Sequence, residues 1–222
     1  MKNYLLTLLK GVLAGLAIGL GGFLYILMIH FVPGELGKVL GSLLFAVGLF
    51  TVCTFSLHLY TGKIGLVYEK RQTNTFYICL PIMLIGNAIG AIGLGYICYF
   101  AFRNLDIFQV ALNTANARLS FNSFDDYLSC CIKSLLCGLC VYLAVKSFAY
   151  KRISIIGTLL LIIFVFIFVY CGFQHCVANM FYFGFANSWM WQTAVDLVLC
   201  ILFNSIGPVI GVLLLKANQK EA

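Results

Sequence analysis

Long apolar runs separated by short polar turns set the plan of this chain. They fall near residues 11–32, 39–66, 76–102, 127–149, 154–186 and 194–215, and each supplies the roughly 20 residues that a helix needs to cross about 30 Å of hydrocarbon. Six transmembrane helices are expected. The second and fifth runs carry polar residues in mid-course, Leu-His-Leu-Tyr-Thr-Gly-Lys-Ile-Gly at 57–65 and Gly-Phe-Gln-His-Cys-Val-Ala-Asn-Met-Phe at 172–181. Polar atoms at that depth are costly and irregular backbone is tolerated there only where it lines a cavity. Both segments therefore read as broken helices beside a solute path. The first run has only a ten-residue head and no small-residue cleavage site, so it reads as a retained helix.

The chain also resembles itself. Lys10-Gly-Val-Leu-Ala-Gly15-Leu16 aligns with Lys133-Ser-Leu-Leu-Cys-Gly138-Leu139, and Asn87-Ala-Ile-Gly90 aligns with Asn204-Ser-Ile-Gly207, with one broken segment between each pair of matches. Three spans per unit make the second copy enter the membrane from the opposite side, the inverted repeat that builds transporters around a midplane site. The expected fold is all-α, an inverted repeat of 3+3 helices with helices two and five broken. It forms one transmembrane domain over 1–222, with halves near 1–105 and 127–222. Gly11, Gly15 and Gly19 in span one, and Gly86 and Gly90 in span three, recur every four residues, a spacing that lets helix backbones approach in lipid.

Composition agrees with the pattern: 63% of residues are hydrophobic and 9% charged, far from the quarter of charged residues in a soluble domain. The net charge of +7 reports orientation. Lys2, Lys10, Lys70, Arg71, Lys146, Lys151, Arg152, Lys216 and Lys220 fall on the side of both termini. Lys38, Arg103 and Arg118 fall on the other, among Glu35, Asp106, Asp125 and Asp126. The positive-inside rule puts both termini in the cytoplasm. Nucleic-acid binding would need that charge clustered on a soluble face. The ten cysteines lie mostly inside apolar runs, where Cys behaves as a small hydrophobe. Cys137 and Cys140 form a CxxC without the flanking charge that would lower a thiol pKa, and no paired zinc-ligand spacing occurs. No metal, cofactor or ATP-binding loop is implied.

His175 is the candidate for chemistry, with Gln174 beside it and Asn179 four residues on. An imidazole exchanges protons near neutral pH; the alternative is a ring held by a backbone carbonyl that steadies an unwound turn. His58 carries the same two readings at the first break. His30 is expected at the membrane interface.

These residues carry a family resemblance. Phe-Gln174-His175-Cys-Val-Ala-Asn179-Met resembles the GFEHSVANM signature of the formate/nitrite transporter family, and His58-Leu59-Tyr60-Thr61-Gly62 resembles its ELFTG segment. Leu136 to Val145 is similar to its LCNWLVCLAVW, and the Lys10, Asn87 and Asn204 motifs also match. The resemblance covers nearly the whole chain. It implies an aquaporin-like fold and a homopentamer with one pore per subunit, passing small monovalent anions such as formate, nitrite or hydrosulfide through the cytoplasmic membrane. It also implies that His175 is the central pore histidine, Thr61 the threonine of the first broken loop, Asn179 the organiser of the second, and Asn204 the polar residue of span six. Phe45, Leu49, Leu59, Tyr60 and Phe168 fall where the family's pore narrows. The departures matter. His58 and Gln174 replace two acids, Gly138 replaces an Asn and Tyr60 a Phe. No lysine stands at the spacing of the family's vestibule lysine, Arg118 being the nearest cation and fitting only with a small insertion.

Desolvation shapes the expected mechanism. A bare anion crossing apolar constrictions loses several kcal/mol or more of hydration, whereas the neutral acid loses far less. An acid with a pKa near 4 is only about one part in a thousand neutral at pH 7. The expected route draws the anion into a vestibule with cations and helix N-termini. The anion then crosses as the protonated species, with the proton from His175 or from water in its field. A paralogue for lactate or acetate is the alternative substrate reading. A neutral-solute channel predicts Asn-Pro-Ala loops, but the prolines are Pro33, Pro81 and Pro208. An intramembrane thiol oxidoreductase through Cys137 and Cys140 is the remaining rival.

Overall fold

The computed structural model describes residues 2–150 and 154–218, so Lys151, Arg152 and Lys220 of the charge asymmetry lie outside the described residues. Every regular element among them is helical: α1 Lys2–Phe31, α2 Glu35–Thr54, α3 Tyr60–Ile64, α4 Leu66–Glu69, α5 Asn74–Phe102, α6 Ile107–Asn116, α7 Phe124–Tyr150, α8 Ile155–Tyr170, α9 Cys176–Ala186 and α10 Trp191–Asn218. Five of these, α1, α2, α5, α7 and α10, are long and apolar enough to cross a bilayer. The expected fifth span is instead the pair α8 and α9, divided at 171–175. The expected second span runs through α2, halts at 55–59 and resumes as α3. Segment 103–126, outside the six expected spans, contains α6, whose Ile107, Ala111 and Ala115 are buried at four-residue spacing.

Helix α1 packs against α5 and α2, and in the second half α7 packs against α10 and α8. The halves meet where α2 touches α8 and α5 touches α9. Small residues set the closeness. A Cβ on Gly15 would stand 2.2 Å from the Asn87 carbonyl oxygen, and a Cβ on Gly138 would stand 2.4 Å from that of Asn204. Gly138 is thus the counterpart of Gly15, and the span-four Asn of the family would not fit against this backbone. One core holds Phe45, Leu49, Leu59, Val165, Phe168 and Phe181. Large apolar side chains such as Ile89, Ile97, Ile163, Val198 and Leu202 stay exposed on the outer faces, as surfaces turned to lipid or to another subunit require.

Candidate functional site

The two breaks are built alike. Two residues past α2 the chain turns at Ser56 with φ 51°, and two residues past α8 it turns at Gly172 with φ 68°. Each left-handed residue is followed by an amide that reaches back five positions, Leu57 N–H to the Val52 carbonyl at 2.9 Å and Phe173 N–H to the Phe168 carbonyl at 2.8 Å. This is the Schellman closure, which satisfies carbonyls a helix end leaves free. Chain direction then resets at the extended residues Leu59 and His175, the N-caps of α3 and α9.

Two asparagines pin the unwound backbone. Asn87 Oδ1 accepts from Tyr60 N at 2.8 Å, while its Nδ2 donates to the His58 and Gly11 carbonyls, each at 2.9 Å. Asn204 repeats the pattern. Its Oδ1 accepts from Cys176 N at 2.9 Å, and its Nδ2 donates to the Gln174 carbonyl at 2.8 Å and the Ser134 carbonyl at 2.7 Å. An amide offers two donors and one carbonyl acceptor, so both side chains are committed to backbone and neither keeps a hydrogen for a solute. Buried backbone groups without partners would otherwise cost about 1–3 kcal/mol each.

The breaks meet through side chains. His175 Nε2 lies 2.9 Å from Thr61 Oγ1, and His175 Nδ1 accepts from Ala178 N at 3.2 Å. The ring is held by a backbone N–H, not by the carbonyl the sequence suggested. Because Nδ1 accepts, the neutral ring carries its hydrogen on Nε2, which donates to Thr61. A second proton on Nδ1 would set two N–H groups against each other and undo the cap. The Phe168 ring lies 5.9 Å from the imidazole, and Phe45 meets Phe168 edge-on at 5.6 Å between centroids. Phe45, Leu49 and Leu59 are buried alongside. Tyr60 departs from that group. Its ring packs with Ile64, Leu80 and Met83, and its hydroxyl reaches Ser205 Oγ on α10 at 2.9 Å. Ser205 itself donates to the Ile201 carbonyl at 2.6 Å, so the Tyr60 hydroxyl is the donor between the two.

A cavity of about 440 Å³ opens beside His175 and Asn179, bordered by Phe45, Phe168, Arg118 and Lys133. Arg118 follows α6. Its Nε donates to Asn179 Oδ1 at 2.9 Å, an Nη donates to the Thr114 carbonyl, and the guanidinium lies 4.4 Å from the Tyr182 ring centroid. Asn179 Nδ2 in turn donates to Gln174 Oε1 and to Asp196 Oδ2, both at 2.8 Å. A second cavity, about 340 Å³, borders α2 two turns further on, at Val52 and Cys53, with Leu59, Lys63, Val145 and Phe148. His58 lies at the first break, its Nδ1 buried and without a hydrogen-bond partner among the described residues.

Thr61, His175, Gln174 and Asn179 thus come together, and Arg118 joins them. His58 and Asn204 act there through backbone. Sequence reasoning missed three contributors. Asp196 and Lys133 are lone charges inside apolar runs, a signal available in the sequence. Tyr182 carries no such signal, because its role depends on Arg118 folding back over it.

Helices of membrane length, with two broken segments joined at the centre and a cavity beside the junction, define a transport protein of the bilayer. The chain belongs to the formate/nitrite transporter family, which it matches over residues 2–218. It is 31% identical to "Uncharacterized transporter YrhG" of Bacillus subtilis (strain 168), across 92% of this chain and 81% of that protein. Its fold is similar to that of a "Pentameric formate channel with formate bound", with a TM-score of 0.84 at 21% identity over 100% of this chain and 99% of the other. It is also similar to an "FNT family ion channel", with a TM-score of 0.74 at 18% identity over 94% of this chain and 86% of the other.

Proposed function

We propose that each subunit carries a pore for small monovalent anions and their weak acids, of the formate, nitrite or hydrosulfide class. Five subunits assemble in the cytoplasmic membrane, with both termini in the cytoplasm. α8 and α9 count as one interrupted span, giving six spans in one domain whose halves are about 1–105 and 127–222. The solute enters the Arg118 cavity, passes Phe45, Leu49 and Phe168, crosses at Thr61 and His175, and leaves past Leu59 into the Lys63 cavity. Gln174 and Asn179 form the wall by the histidine, while Asn204 shapes the path through the backbone it holds and His58 through its own carbonyl, which Asn87 holds.

The single observation that carries this reading is the Thr61–His175 hydrogen bond, which joins both breaks beside a cavity with cations in its wall. Arg118 and Lys133 draw the anion in, and the aromatic constriction strips its water. With Nδ1 committed to the Ala178 amide and Nε2–H to Thr61, neutral His175 fixes the Thr61 hydroxyl, whose own hydrogen is left to donate to the solute at the crossing, and the proton that neutralises the solute arrives with water. Uptake is thereby coupled to protons and follows the combined anion and proton gradients.

The test is uptake of labelled formate, nitrite, hydrosulfide and lactate into proteoliposomes at two pH values, near 5 and near 7. Saturable entry of at least one small anion, faster at the lower pH, is expected. Absence of uptake for all four contradicts the reading.

A further inference from the structure

Asp196 is the only buried acid among the described residues, 0% exposed on α10. Its Oδ2 accepts from Asn179 Nδ2 at 2.8 Å, and Cys130 Sγ stands 3.9 Å from its Oδ1. No lysine or arginine pairs with it directly among the described residues. A carboxylate taken out of water needs a countercharge, and the nearest one given by the geometry is a single amide away. Asn179 Oδ1 accepts from Arg118 Nε at 2.9 Å, so one asparagine side chain turns its donor to the carboxylate and its acceptor to the guanidinium. Replacing Asn179 by a residue with one kind of group would strand one of the two charges. The guanidinium is also fixed by the Thr114 carbonyl and the Tyr182 ring. Lys133, the other cation of the cavity wall, has no ion-pair partner among the described residues.

Two cations facing one cavity would hold a monovalent anion tightly. Conduction requires a site favourable enough to enter and weak enough to leave. We propose that Asp196 is a positioning residue for the anion cavity. Acting through Asn179, it holds Arg118 at the wall and offsets part of its charge, so that an anion is attracted without being trapped. The inference rests on the reading of this cavity as an anion entry.

Asp196→Asn tests it, because the amide keeps an acceptor for Asn179 and loses only the charge. In proteoliposomes the half-saturating formate concentration should fall about tenfold, the order expected for one unit charge at roughly 10 Å in a medium of effective dielectric near 20. Maximal flux should fall as well, because release slows. A lower flux at unchanged half-saturation reports a merely structural residue and overturns the proposal, as does a higher half-saturating concentration. A second arm measures stability alone. Arg118→Gln should destabilise the detergent-purified protein by leaving the carboxylate unbalanced, and adding Asp196→Asn should recover part of that loss. Strictly additive losses overturn the proposal. Wild-type protein that takes up no small anion would sink the anion reading instead, while the stability cycle still decides whether Asp196 balances Arg118.

Discussion

At the residue scale, function rests on which hydrogen bond each side chain has left to give. His175 Nδ1 accepts from the backbone of α9, and its Nε2–H donates to Thr61. Thr61→Val keeps the shape and removes the acceptor, leaving a buried N–H whose loss of a partner costs about 1–3 kcal/mol. Folded Thr61→Val protein should therefore show lower thermal stability and slower formate uptake; wild-type values for both would show that the bond is incidental. Phe168→Ala and Leu49→Ala remove side chains from the proposed constriction, and dewetting there should weaken as it widens. Larger acids such as lactate should then leak in uptake assays, whereas unchanged selectivity in both variants would place the gate elsewhere. His175 was legible in sequence as an ionisable residue inside an apolar run, and Thr61 through the resemblance of its segment to the family's. The repeat implies that the two broken segments meet near the centre, but not which side chains touch there. The ring's tautomer was not legible, since it depends on the Ala178 amide. Asp196 passed unread although it too is a charge in an apolar run. It lies near the start of that run, where a terminal acid is ordinarily solvated, and only the arrival of Asn179 over it makes it interior.

At the element scale, the breaks are stable because their free backbone groups are answered by fixed partners. Asn87 and Asn204 each satisfy one amide and two carbonyls. Asn204→Leu strands all three groups, and a loss of about 3 kcal/mol or more is expected at the low end of about 1–3 kcal/mol per group. Thermal unfolding of the purified variant measures it, and an unchanged midpoint would contradict the role. The sequence aligned these two asparagines through their NxxG words before any contact was known. It did not reveal the matched left-handed turns at Ser56 and Gly172, because serine carries no sign of positive φ. Nor did it reveal α6, a helix of ten residues in a polar connection too short and too mixed to stand out beside membrane spans. α6 matters because it delivers Arg118 to the cavity.

At the scale of the whole molecule, α5, α8 and α10 leave large apolar side chains exposed, the kind of surface that suits lipid or another subunit. A pentamer in native mass measurements of detergent-purified protein is expected; a stable monomer would count against the assembly. The inverted plan was legible because two pairs of matching words, in the same order in both halves, flank the broken segments, and the balance of charge at the cavity was not, because Arg118, Asn179 and Asp196 converge from three separate elements. The central claim is that solute crosses at His175. The direct measurement is formate uptake from pH 5 to 8 in proteoliposomes holding wild-type or His175→Asn protein, since Asn is among the best N-caps and can still accept from the Ala178 amide. The account predicts a folded variant with slower uptake at every pH, because the donor that faces Thr61 has changed, and a rate that still rises toward low pH, because the neutralising proton comes from water. A folded variant with the wild-type rate at every pH would contradict it.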